Sequence, residues 1–214
     1  MPQRCRVVVL ISGNGSNLQA IIDGCDDNLQ AEVVGVISNK PDAYGLVRAH
    51  HGEIDTSCVI AHPGESRSEY DARLMTVIEQ YQPDLIVLAG FMRILTDDFV
   101  NHYLGRMINI HPSLLPKYTG LNTHQRAIDA KEIEHGASVH FVTPTLDAGP
   151  VILQAKVPVF DDDTVELLAE RVHEQEHAIL PLVVKWFAKG RLKMLDGKAW
   201  LDNQPLGAAG YAAD

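Results

Sequence analysis

Asn109 and His111 stand two residues apart in Met107-Ile108-Asn109-Ile110-His111-Pro112, an apolar run that stops at a proline. Side chains alternate between the faces of a strand, so the amide and the imidazole project together while Ile108 and Ile110 point the other way. Pro112 fixes its own φ and biases His111 toward extended geometry, which ends the ladder there. Imidazole titrates near neutral pH, and proton transfer is the chemistry it suits best. The plain alternative is a strand end with two solvated polar groups, or a histidine satisfied by the backbone. A second candidate is Ser12-Gly13-Asn14-Gly15-Ser16-Asn17, a glycine-rich turn between Val7-Val8-Val9-Leu10-Ile11 and a helix-compatible Leu18-Gln19-Ala20-Ile21-Ile22. Backbone N–H groups in such a turn, at the positive end of a helix dipole, make an anion site suited to a phosphate. A dinucleotide fingerprint would need a third glycine where Leu18 stands; a purely structural tight turn is the other reading. Ser16 or Asn17 is expected to cap the helix.

A third candidate is Glu176. Leu168, Val172, Ile179, Val183 and Phe187 recur at helical spacing, and Glu176 falls on the same stripe. A carboxylate among core positions costs free energy unless it is paired or reaches a polar cavity. It is therefore either a substrate contact or a glutamate snorkelling from the edge.

The elements around these residues alternate. Val7–Ile11, Val33–Ser38, Thr56–Ile60, Leu85–Ala89 and Met107–His111 read as strands. Helices are expected near Leu46–Ala49, from Ser66 to Tyr81 with Leu74, Val77, Ile78 and Tyr81 inward, near Gln125–Ala130, and from the acidic Asp161-Asp162-Asp163 to Phe187. This pattern predicts an α/β fold with a doubly wound, mainly parallel, Rossmann-like sheet. Gly136–Thr143 alternates like a strand with one exposed face. Pro144-Thr145-Leu146-Asp147-Ala148-Gly149-Pro150 reads as a tight loop, and Val151–Val159 as another strand. A hairpin is expected around Asp196-Gly197, followed by a loose tail from Pro205.

With 214 residues and no evident linker, one domain is expected, 1–214: a phosphate-binding half (1–105), a catalytic half (106–190) and a C-terminal hairpin and tail (191–214). Eighteen Lys and Arg against 28 Asp and Glu, a net charge of −10, argue against nucleic-acid binding, which needs basic side chains on phosphates. Three scattered cysteines suggest a reducing compartment, the N-terminal apolar segment is too short for a signal core or membrane span, and a cytoplasmic protein is expected. No metal site is expected, and His173 and His177 read as structural.

From Val7 to about Trp200 the chain resembles the folate-dependent phosphoribosylglycinamide formyltransferases of purine biosynthesis. The resemblance is carried by Ile11–Asn17, by Leu88-Ala89-Gly90-Phe91-Met92-Arg93-Ile94-Leu95, by Asn109-Ile110-His111-Pro112-Ser113-Leu114-Leu115-Pro116, by Leu146-Asp147-Ala148-Gly149 and by Gln175-Glu176-His177-Ala178-Ile179. It implies transfer of a formyl group from 10-formyltetrahydrofolate to the amine of glycinamide ribonucleotide, by a monomer or weak homodimer. It also implies that Asn109, His111 and Asp147 are the catalytic trio. Gly13, Asn14, Gly15, Ser16, Asn17, Arg67, Lys117 and Glu176 would then hold the ribonucleotide. Met92, Arg93, Ile94, Leu95, Val100, Thr143, Pro144, Thr145 and Leu146 would hold the folate. Four positions depart from the family's pattern. Asn122 stands where a histidine is usual and cannot carry its proton; Thr119 replaces a loop-stiffening proline; Pro144 and Thr145 replace an acidic pair. Methionyl-tRNA formyltransferases share the His-Pro-Ser-Leu-Leu-Pro block but carry an RNA-binding domain, and formyltetrahydrofolate hydrolases carry a regulatory one. A nicotinamide-dependent oxidoreductase is disfavoured by Leu18, and a non-catalytic folate binder has no use for the trio.

Overall fold

The computed structural model describes residues 3–25 and 29–211. Cys5–Ile11 (β1), Ala31–Ser38 (β2), Thr56–Cys58 (β3), Leu85–Leu88 (β4), Met107–His111 (β5), Glu134–Phe141 (β6) and Val151–Pro158 (β7) form one sheet in the order β3-β2-β1-β4-β5-β6-β7. Pairing is parallel from β3 to β5 and antiparallel for β5–β6 and β6–β7. The expected α/β fold with a mainly parallel sheet is what the chain adopts. Among the described residues six helices accompany the sheet: Ser16–Gly24 (α1), Tyr44–His51 (α2), Arg67–Gln80 (α3), Asp97–His102 (α4), Thr123–Asp129 (α5) and Val165–Ala188 (α6).

β1 shows why the sheet is covered on both sides. Val7, Val9 and Ile11 pack into a core shared with Leu18 and Ile21 of α1 and Leu168, Val172 and Val183 of α6. The intervening Val8 and Leu10 pack against Tyr70, Leu74 and Ile78 of α3 and Phe99 of α4. All five β1 residues from Val7 to Ile11 are fully buried, and each such aliphatic contributes roughly 1.5–3 kcal/mol. The chain winds outward from β1 through β2 to β3, then returns to the other side through β4 and β5. The carboxyl ends of β1 and β4 therefore flank the reversal point, the place where ligands bind in open α/β sheets. No helix among the described residues is long and apolar enough to cross a membrane.

Several local expectations are corrected. The N-cap of α1 is Gly15, in the left-handed region (φ 77°) without a side-chain capping bond, rather than Ser16 or Asn17. The buried side of α3 is Tyr70, Asp71, Leu74 and Ile78, with Val77 and Tyr81 only half-buried. Helix α4 is not among the expected helices, although Thr96 before Asp97-Asp98 is an N-cap signal; its hydroxyl accepts from the Phe99 N–H. The acidic run stands just ahead of α6: Asp163 pairs with Arg171 at 2.8 Å, Thr164 is the cap and Glu166 is in the first turn. β6 is buried from His135 to Phe141, with no exposed face. Its polar side lies under the segment after β5: Ser138 donates to the Ser113 carbonyl at 2.6 Å and accepts from the Leu115 N–H at 3.1 Å.

The hairpin around Asp196-Gly197 forms as expected, Leu192–Leu195 (β8) against Lys198–Leu201 (β9), with Gln204–Pro205 (β10) added outside. The tail is not loose up to Tyr211, whose N–H donates to the Ile152 carbonyl at 2.8 Å and whose ring lies 5.4 Å from Trp186. Residues 212–214 of that tail lie outside the described residues.

Candidate active site

Antiparallel pairing places His140 directly opposite Asn109, and Ser138 opposite His111. Opposed residues share a face, so β6 backs the polar end of β5 with polar groups of its own. His140 is buried at 2% exposure. Its Nδ1 lies 2.9 Å from the Phe141 carbonyl, which can only accept, so Nδ1 carries the proton. Its Nε2 is then an acceptor, and the group 3.1 Å away is the Asn109 amide nitrogen. Burial holds the His140 pKa below the ordinary imidazole value, which keeps this donor–acceptor sense near neutral pH. One Asn109 N–H is thereby committed to His140 and the other is left for a ligand.

We expect His140→Leu to lower kcat roughly 10- to 100-fold, the scale of a misplaced electrostatic donor. His140→Gln, which can restore an acceptor, should lose less. Steady-state kinetics on variants with near-native circular dichroism would check this, and equal losses in both variants would argue against the orienting role.

His111 is 6% exposed. Its Nε2 lies 2.8 Å from the Tyr118 carbonyl, again an obligate acceptor, so Nε2 carries a proton. Its Nδ1 faces Asp147 Oδ2 at 3.7 Å. That carboxylate accepts the Gly120 N–H at 2.8 Å. A single loop, 117–122, therefore holds both partners, through the Tyr118 carbonyl and the Gly120 amide. Asp147 sits at positive φ (50°) in the loop after β6. The loop is pinned at Gly149, where a Cβ would stand 1.7 Å from the Phe141 carbonyl oxygen. Thr119, a departure from the family pattern, has its carbonyl held by Arg126 at 2.6 Å. Asn122 is the N-cap of α5 in the left-handed region.

The glycine turn follows β1 as expected, and Asn17 reaches Glu176. The Asn17 amide donates to Glu176 Oε2 at 3.2 Å, and His173 Nδ1 lies 2.7 Å from the same oxygen. Glu176 is 3% exposed, so the buried carboxylate is paired through Oε2 while Oε1 remains for other contacts. The helices α1 and α6 thus bring the two expected ribonucleotide contacts together. His173 belongs to this arrangement, with His177 stacked 6.4 Å away and His124 edge-on at 6.4 Å. His124 and His177 have lowered pKa values, mainly through burial, whereas the hydrogen bond that His173 donates to Glu176 raises its own above the ordinary imidazole value.

A raised folded-state pKa means that the His173–Glu176 pair stabilises fully below the unfolded value and is lost as pH rises through the folded one. The melting-temperature difference between wild type and His173→Gln should therefore be largest near pH 5.5 and shrink by about pH 8. Because His173 is half-exposed, the effect should stay within ~1 kcal/mol.

The loop 90–95 stands beside the turn. Ser12, at the end of β1, accepts the Met92 N–H at 2.7 Å and donates to Asn39 at 2.5 Å, tying the loop to the ends of β1 and β2. Met92 and Ile94 are each 59% exposed, while Leu95 and Val100 belong to the packed core. Arg93 lies 3.7 Å over the Tyr70 ring and its buried Nε has no partner. Arg67, exposed at the start of α3, reaches the Leu95 carbonyl at 3.5 Å. Thr143, Pro144, Thr145 and Leu146 lie along the Asp147 loop, with Leu146 57% exposed. Lys117 is paired with Glu132 at 2.9 Å; its contacts do not run to the turn or the trio. The sequence carries no reading of the roles of His140, Ser12 and Tyr118; the one available signal is the alternation of β6, which sets His140 on the same face as Ser138. Among the described residues no group of three or more His, Cys, Asp or Glu is placed to hold a metal ion.

Comparison with known proteins agrees with the fold. The formyl transferase family profile matches residues 5–184. The phosphoribosylglycinamide formyltransferase of Escherichia coli (strain K12) is 60% identical over 209 residues, covering 97% of this chain and 99% of that one. That of Haemophilus influenzae is 49% identical, covering 97% and 98%. The solved structure of the Coxiella burnetii phosphoribosylglycinamide formyltransferase superposes with a TM-score of 0.93 at 54% identity, covering 97% of this chain and 98% of that one. The family profile and relatives of this identity along nearly the whole length leave one conclusion: the chain belongs to the formyl transferase family.

Proposed function

We propose that this protein transfers the formyl group of 10-formyltetrahydrofolate to the amine of glycinamide ribonucleotide, a step of de novo purine biosynthesis. The observation that carries the reading is the oriented pair at the end of β5: Asn109 with one N–H uncommitted, and His111 with Nδ1 toward Asp147. The amine nitrogen attacks the formyl carbon and the carbonyl electron pair moves onto oxygen. Asn109 donates its free N–H to that oxygen, and electrostatic stabilisation of this kind is usually the largest single catalytic contribution. His111, with Nε2 protonated, offers the Nδ1 lone pair as the base for the amine proton. Asp147 stabilises the imidazolium so formed. As the bond from carbon to the folate nitrogen breaks, His111 returns the proton to that nitrogen, and the charges balance.

The substrate phosphate sits on the Gly13–Asn17 turn, where α1 has no side-chain cap to occupy its first N–H groups. Glu176 holds the ribose or glycinamide end, and Arg67 is a further substrate-side contact; Lys117, paired with Glu132, joins them only by leaving that pair. The folate lies against Met92, Ile94 and the Thr143–Leu146 segment, above Leu95 and Val100. The chain works as one domain in the cytoplasm, as a monomer or weak homodimer.

Formyl transfer by the purified protein, with and without the ribonucleotide, tests this directly. Turnover requiring both substrates is the expected result. Turnover without the ribonucleotide would mean a hydrolase, and no turnover in a folded, folate-binding protein would sink the reading.

A further inference from the structure

Helix α2 approaches the glycine turn to backbone contact. A Cβ on Gly15 would stand 2.6 Å from Gly45 Cα, and one on Gly45 would stand 2.3 Å from the Ile11 side chain. The Gly45 N–H donates to the Gly13 carbonyl at 3.0 Å. Three residues on, on the same helix face, Arg48 donates from Nε to the Asn14 carbonyl and from Nη2 to Asn14 Oδ1, each at 2.8 Å. The guanidinium is itself packed 5.0 Å over the Tyr44 ring. Two consecutive carbonyls of the turn are thus held against α2. In a planar trans peptide the C=O and the following N–H point in opposite directions. Holding the Gly13 and Asn14 carbonyls toward α2 therefore directs the Asn14 and Gly15 N–H groups away from it, to the side an anion would occupy.

We propose that Arg48 is a positioning residue for phosphate recognition: its two bonds to Asn14 preform the turn, so that the backbone N–H groups are aligned before the ribonucleotide arrives. The proposal rests on reading the Gly13–Asn17 turn as the phosphate site. Arg48 acts here through geometry more than through charge, because the planar fork matches the Asn14 carbonyl and side-chain oxygen together. A lysine keeps the charge and cannot reproduce that pair of bonds.

The test compares wild type, R48A and R48K with glycinamide ribonucleotide and with its nucleoside lacking the phosphate, melting temperatures confirming folded protein. R48A should raise KM for the ribonucleotide by about tenfold or more, the scale of one charge-assisted hydrogen bond. Its kcat should stay within about twofold and its kcat/KM for the nucleoside should match wild type, since preorganisation of the turn is all that changes. R48K should resemble R48A. Wild-type KM in R48K would overturn the proposal in favour of simple charge attraction. Equal losses on nucleotide and nucleoside would overturn it in favour of a general structural role. Wild type using the nucleoside as well as the nucleotide would remove the phosphate site itself, a failure of the underlying reading that the variants cannot imitate.

Discussion

His111→Ala is expected to lower kcat by about 10³- to 10⁴-fold, with both substrates still bound within a few-fold of wild type. The large effect follows from the number of tasks resting on one ring. It takes a proton from the attacking nitrogen, carries positive charge beside a developing oxyanion, and returns the proton to the departing nitrogen. Binding is expected to survive because the phosphate turn, Glu176 and the 90–95 loop are built on β1, α6 and the end of β4, away from the His111 side chain. The ring's removal also frees the Tyr118 carbonyl, which sits in a half-buried loop where water can replace the lost donor. Single-turnover transfer measured beside equilibrium binding of each substrate separates these effects. Retained turnover with lost binding would move His111 from chemistry to recognition.

The parts of this site that sequence made legible are those set by local periodicity. The apolar run of β1 and the glycines after it, the two-residue spacing of Asn109 and His111, and the stripe carrying Glu176 each report on one strand or helix. What stayed hidden depends on pairing between distant segments. His140 looked like the exposed side of a half-buried strand, because nothing local says that β6 lies antiparallel to β5 under the 113–116 segment. Nothing local marks Arg48, since its partners lie 34 positions earlier. Asp71 carries no local signal of its role either: it is 3% exposed and accepts the Thr96 N–H that starts α4. The uncapped start of α1 is a different case. Ser16 and Asn17 have good capping side chains, but close packing against Gly45 requires the left-handed glycine one step earlier, and Asn17 is drawn to Glu176 instead.

Asp147→Asn is expected to cost about 10²- to 10³-fold in kcat, comparable to loss of one preorganised electrostatic contact. The substitution is nearly isosteric, and an amide oxygen can still accept the Gly120 N–H, so the loops 117–122 and 143–149 should stay joined. The loss is the negative charge 3.7 Å from His111 Nδ1, which stabilises the imidazolium only while His111 holds the extra proton. A charge that acts through another residue has a signature that direct substrate contact lacks. In a His111→Ala background, Asp147→Asn should lower kcat by no more than about twofold, because residues acting as a unit are strongly non-additive. If the two losses multiplied instead, Asp147 would have to touch the reacting groups itself, and the base–carboxylate relation drawn from the 3.7 Å contact would be wrong.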